Sequence, residues 1–148
     1  MNEGPNSPEP EVIYPAEEPY FAFSATLRIH GEIGDLEEIS RTLGVAPTHT
    51  HRGGELALPK RSATWKDDAW HFRAPLDESR PLEEHITALW SQLRPHMAYL
   101  KSLKNRLKVD VFCGYRSNSP TAGFQVGHEC LGLFMELGVP FGVSVILA

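Results

Sequence analysis

The sequence predicts an α+β fold: a two-layer sandwich with helices on one face of a largely antiparallel sheet. Three observations carry that expectation. Residues Phe21, Phe23, Ala25, Leu27 and Ile29 alternate with Ala22, Ser24, Thr26, Arg28 and His30, the period of two that marks a strand with one buried face. Leu82, Ile86, Leu89, Leu93, Met97, Leu100, Leu103 and Leu107 follow one another at steps of three and four, the stripe of a long amphipathic helix. The tripeptide Leu43-Gly44-Val45 recurs as Leu137-Gly138-Val139, each time closing a short helix and opening a candidate strand.

The elements follow in order. After the first strand, Gly31 and Gly34 flank a turn, and Asp35 suits an N-cap with Glu38 three residues on. Leu36, Ile39 and Leu43 form the next helix, and Gly44 fits the left-handed position that ends it. Residues 46–58 read as a strand interrupted at Gly53-Gly54, and 59–63 as a loop. A strand or hairpin spans Trp65 to Arg73, with Asp67-Asp68 at its turn. Pro81 opens the long helix, and Pro95 inside it predicts a kink. Lys101, Lys104, Arg106 and Lys108 gather at its end, where cations offset the helix dipole. Val109 to Tyr115 is a strand, Arg116 to Thr121 a polar turn, and 123–126 a short strand. A helix over His128 to Leu137 and a strand over Phe141 to Leu147 close the chain. The resulting order, β-α-β-β-α-β-β-α-β, is ferredoxin-like β-α-β-β-α-β with an additional β-α-β unit.

Length and composition set the bounds. A chain of 148 residues with 41% hydrophobic residues supports one domain with a core. Residues 1–19 hold five prolines and five glutamates without a Lys or Arg, and are expected to form a disordered acidic tail before a single domain at 20–148. Removing that tail turns the formal charge of −5 into balance, 14 acidic against 14 basic residues, which argues against a nucleic-acid binder working by bulk charge. No apolar run has the length of a membrane span, and the first residues show no secretory signal. Two cysteines, Cys113 and Cys130, make no disulfide framework, so a cytoplasmic location is expected.

The segments Tyr20-x-Phe-Ser-Ala-Thr-Leu-Arg-Ile, Gly34-Asp35, Leu43-Gly44-Val45-x-Pro47, Gly53-Gly54-Glu55, Trp65 to Trp70 and Leu137-Gly138-Val139-Pro140 together resemble a bacterial family, the domain of unknown function numbered 4279. The likeness spans residues 19–147. It implies a small cytoplasmic bacterial domain and brings no activity, cofactor or catalytic residue with it. Some small bacterial domains of this kind serve as immunity proteins against toxins.

The candidate chemistry lies on the sheet. If the first strand buries Phe23, Leu27 and Ile29, its other face shows Ser24, Thr26, Arg28 and His30. The same alternation places His71, Arg73 and Asp110 outward, with either His49 and His51 or Thr48, Thr50 and Arg52 alongside. A sheet covered on one side leaves such a face free, and its Arg and His content suits an anionic ligand or an acidic partner surface. The candidate binding residues are therefore Arg28, His30, His49, His51, Arg52, His71, Arg73 and Asp110. His49-x-His51 also has a spacing compatible with metal binding, with Glu55, His30 or His71 to complete a site. Cys113 with His128 offers a nucleophile pair only on paper, since Cys113 falls on the apolar side of its strand. Phe112 is the one clear outward aromatic on a central strand, which falls short of an RNA-binding face. No phosphate-binding loop, dinucleotide fingerprint or nucleophile elbow is present.

The expectation is a non-enzymatic binding module without a cofactor, acting through the open sheet face and the Pro47 to Arg61 region. Its partner would be a protein, such as a toxin, or a small anion, with no role for nucleic acid or membrane and the oligomeric state left open. The alternative is a small metal-dependent or hydrolytic enzyme using His49, His51, Glu55 and neighbouring His30 or His71.

Overall fold

The structure, a computed structural model, describes residues 18–57 and 63–148. The acidic tail of the sequence reading lies almost wholly outside the described residues, as does most of the 59–63 loop. Chain order is β1 (Phe21–Gly31), α1 (Leu36–Leu43), β2 (His49–His51), β3 (Asp68–Arg73), α2 (Leu82–Leu93), a 3-10 turn (Arg94–His96), α3 (Met97–Leu103), β4 (Lys108–Ser117), a second 3-10 turn (His128–Leu131), α4 (Gly132–Leu137) and β5 (Val143–Leu147). The five strands form one open sheet in the order β2-β3-β1-β4-β5. β1 is antiparallel to β3 and β4, β2 is antiparallel to β3, and β5 runs parallel to β4. The fold is thus α+β with a mostly antiparallel, mixed sheet.

β1 is central because it has the longest clean alternation. Ala25, Leu27 and Ile29 are fully buried, and the residues between them are not. Their neighbours on the covered face are Trp70 and Phe72 of β3 and Val109, Val111, Cys113 and Tyr115 of β4, which pack against Ile39, Leu43, Ile86, Leu89, Leu93 and Leu100 of the helices. The Trp70 indole N–H donates to Ser40 Oγ at 3.0 Å, which ties β3 to α1 and satisfies a buried donor.

The helix ends match their sequence signals. Asp35 accepts from the Glu37 N–H at 3.0 Å and opens α1. Gly44 and Gly138 both adopt the left-handed conformation, at φ 69° and 72°, and each returns its N–H to the preceding turn. Lys104 Nζ donates to the carbonyls of Leu137 and Gly138 at 2.8 and 2.9 Å, so one basic residue after α3 caps another helix. Pro95 breaks the long helix into α2 and α3 through a 3-10 turn, because it lacks the N–H that the α ladder needs. Leu107, the last member of the stripe, lies beyond α3 yet stays buried.

Several expectations change: the strand expected over Trp65 to Arg73 begins at Asp68, and the one expected to end at Tyr115 runs to Ser117. The strand foreseen over 46–58 shrinks to His49–His51, followed by one isolated bridge between Leu56 and Thr64. Residues 123–126 are not a strand: the β4 edge from Cys113 to Ser117 is taken by β5, and Phe124 packs instead against the Phe23 and Tyr115 rings. The last helix is shorter than 128–137, since its first turn is 3-10. Glu18 and Tyr20 are held to the Asn118 side chain, at 3.1 and 3.0 Å, so the chain is fixed just before β1 begins.

Candidate functional site

The helices cover one face of the sheet and leave the other open. Strand register decides which side chains share that face. His49 lies opposite His71, His71 opposite Arg28, and Arg28 opposite Asp110. Thr26 lies opposite both Arg73 and Phe112, Ser24 opposite Gly114, and Gly114 opposite Ser144. Of the two phases open for β2, the register selects His49 and His51. The face divides into a histidine end, a central ion pair and an arginine end.

At the histidine end four imidazoles form a chain. His30 and His71 share a hydrogen bond, Nε2 to Nε2, at 2.7 Å, and His49 Nε2 meets His51 Nδ1 at 2.8 Å. The His49 and His71 rings lie 5.3 Å apart. Trp65 stacks on His51 at 4.0 Å and 7°, held there by two backbone hydrogen bonds, one from the Gly54 N–H to its carbonyl and one from its own N–H to the Glu55 carbonyl. Burial, with the neighbouring His30, His49 and Arg28 charges, pushes the His71 pKa down to about 4. Burial and Arg28 lower that of His30, and burial and His49 lower that of His51. His30, His51 and His71 are therefore held in the neutral form at physiological pH. Among the described residues no group of three or more His, Cys, Asp or Glu side chains is arranged to hold a metal ion. His49 and His51 are together as the spacing implied, but they turn His49 Nε2 and His51 Nδ1 towards each other.

In the centre Arg28 makes a two-pronged ion pair with Asp110, Nε to Oδ1 at 2.8 Å and an N–H to Oδ2 at 3.0 Å, with its guanidinium 4.9 Å from the Phe112 ring centroid. Both residues are where the alternation put them, but their charges cancel. Arg52 takes a role the sequence reading did not foresee. Its guanidinium donates to the carbonyls of Ile33 and Gly34 and to Asp68 Oδ2, so it fastens the loop after β1 to the loop after β2. Asp68 completes that clamp by accepting from the N–H groups of Ile33 and Gly53, which hold its carboxyl below the usual range.

The arginine end holds two guanidinium groups with one glutamate beside them. Arg73 and Arg116 flank a groove of about 300 Å³ whose rim includes Ser24, Phe112, Ser144 and Ile146. Gly114 is its floor: a β-carbon there would come within 2.8 Å of Ser24 Oγ and 3.3 Å of the Phe112 ring. Among the described residues neither arginine side chain is in an ion pair, although Glu78 also lines the groove. Gly114 and Ser144 lay within expected strands, but nothing local marked them as neighbours of a site; Arg116 was missed because its strand was expected to stop at Tyr115. The signal was present: Asp110, Phe112, Gly114 and Arg116 continue the period of two.

The cysteines stand apart from this face. Cys113 is in the core, where burial pushes its thiol up to about 12. His128 is exposed and pairs with its neighbour Glu129. Cys130 is buried against Thr87, at 3.2 Å from its hydroxyl. Among the described residues no helix is long and apolar enough to cross a membrane.

Compared with known proteins, residues 20–147 match the family model described as "Domain of unknown function (DUF4279)". Neither the curated proteins nor the solved structures contain a match.

Proposed function

The chain belongs to the DUF4279 family, and we propose that it is a non-enzymatic binding module that holds an anionic group, carboxylate or phosphate, on the open sheet face. The observation that carries this reading is the pair Arg73 and Arg116 across the Gly114 floor, two guanidinium groups without an ion-pair partner among the described residues. Guanidinium groups bind such oxyanions through parallel N–H donors, and Ser24 and Ser144 add hydroxyls at the rim. Sheet residues that are fixed by register need little reordering on binding, which favours a preformed site. A small ligand would bring the anion itself; a protein partner such as a toxin would present it as an acidic side chain. The histidine end supports catalysis less well, since one nitrogen of each ring is engaged with another imidazole. We further read the four antiparallel strands β1 to β4 as ferredoxin-like, extended by α4 and β5, and the two unpaired, buried cysteines as fitting a reducing bacterial cytoplasm.

The test is an NMR titration of the chain with inorganic phosphate and, separately, with a poly-glutamate peptide. The amides of Gly114, Arg116 and Ser144 are expected to shift saturably with at least one of the two. Arg73→Ala with Arg116→Ala should abolish that response while the fold is kept. Non-saturating shifts with both probes, or an unchanged response in the double variant, would overturn the reading.

A further inference from the structure

We infer that the outer edge of β5 is the contact between two copies of this chain, which join as an antiparallel β5–β5′ pair about a twofold axis through Val145. β4 hydrogen-bonds one side of Val143–Leu147, and no strand among the described residues pairs with the other. An edge of this kind presents a row of unpaired N–H and C=O groups to any strand of matching length. Sheets usually protect such edges with charge, proline or brevity. β2, at the opposite edge, is three residues long and is followed directly by the Arg52 clamp. β5 has none of these devices: the segment from Phe141 to Ala148 contains no charged residue and no proline.

Both faces of β5 are apolar and open. Register puts Val145 and Leu147 on the helix-covered side with Tyr115 and Ser117, yet they remain 54% and 63% exposed. Ile146 points to the other face beside Arg116 and is 50% exposed. A second copy fits this edge on three counts. Centring an antiparallel pair on Val145 sets Val145 against Val145 and Val143 against Leu147, so apolar side chains meet on one face and Ile146 meets Ser144 on the other. The uncharged segment repels no identical segment, and the nearest charge on its face, Arg116, would be three strand spacings from its equivalent, about 14 Å, beyond the screening length of physiological salt. Covering these side chains and the strand edge on both copies removes roughly 1,000 Å², the lower end of what a specific interface requires, so the dimer is a weak one. The inference is independent of the anion groove, and the experiment reads it without any ligand.

Sedimentation equilibrium of the full chain, from micromolar to near-millimolar concentration, tests it. The mass is expected to rise from 16.5 kDa towards twice that value. Val145→Lys sets two ammonium groups against each other at the axis and should weaken association at least tenfold, with an unchanged melting curve because the side chain is half exposed. Val145→Cys should give a disulfide-linked dimer under mild oxidation, since residues opposed across an antiparallel pair have the required separation. A mass of 16.5 kDa throughout overturns the inference, even if the β5 amides resist hydrogen exchange, because the edge is then covered from within. So does a dimer that Val145→Lys leaves intact, or one that Val145→Cys fails to link.

Discussion

Gly114 faces Ser24 across the β1–β4 junction, and a β-carbon at Gly114 would lie 2.8 Å from Ser24 Oγ. That contact is with the end of a side chain that can rotate, so Gly114→Ala should fold normally. It removes the entropic cost of glycine in a strand, about 0.5–1 kcal/mol, against a small cost for moving Ser24. Gly114→Leu instead fills the hollow between the two arginines. It should weaken the phosphate or poly-glutamate response at least tenfold, with a melting temperature close to that of the parent. An unaltered titration in Gly114→Leu would place binding elsewhere on the chain.

His30 and His71 give the protein a pH dependence whose sign follows from their depressed pKa values. The folded state holds His71 neutral down to about 4, whereas the unfolded chain protonates it at the ordinary 6.5. Stability is therefore full above 6.5 and is lost as pH falls from 6.5 towards 4, because the unfolded state binds the proton first. His30 and His51 are shifted in the same direction and add to the loss. Urea midpoints measured across that range should decline, and His71→Gln should flatten the decline. A flat profile in the parent would mean that the imidazoles are not held neutral.

Gly44 and Gly138 end their helices with the same left-handed turn, but their surroundings differ. Nothing lies within 4 Å of a β-carbon at Gly44, so Gly44→Val carries only the backbone strain of a β-branched residue at φ 69°, about 1–2 kcal/mol. At Gly138 the β-carbon would also meet Lys104 Nζ at 3.0 Å and disturb its bonds to the Leu137 and Gly138 carbonyls. Gly138→Val should therefore cost more than Gly44→Val. Thermal unfolding checks the order, with expected falls of roughly 3–8 °C; equal or negligible falls would contradict it.

Much of the architecture was legible because it rests on local chemistry. The alternation of β1, the Asp35 cap, the two glycine helix ends and the break at Pro95 each follow from a few adjacent residues. The open face could be read as well, since a period of two assigns Arg28, His30, His71 and Arg73 to one side once the other is buried. The extent of β2 and the absence of a strand over 123–126 were not legible, because a strand exists only where a partner edge is available.

What the sequence by itself determined is which residues can share a face and where the helices stop. Only the tertiary structure decided which charges on that face remain available. Strand register sets Asp110 beside Arg28 and neutralises it, and loop packing commits Arg52 to Ile33, Gly34 and Asp68. The same register leaves Arg73 and Arg116 around Gly114 without an ion-pair partner among the described residues. Pairing between residues 82 positions apart depends on how strands align, and no local pattern encodes that alignment.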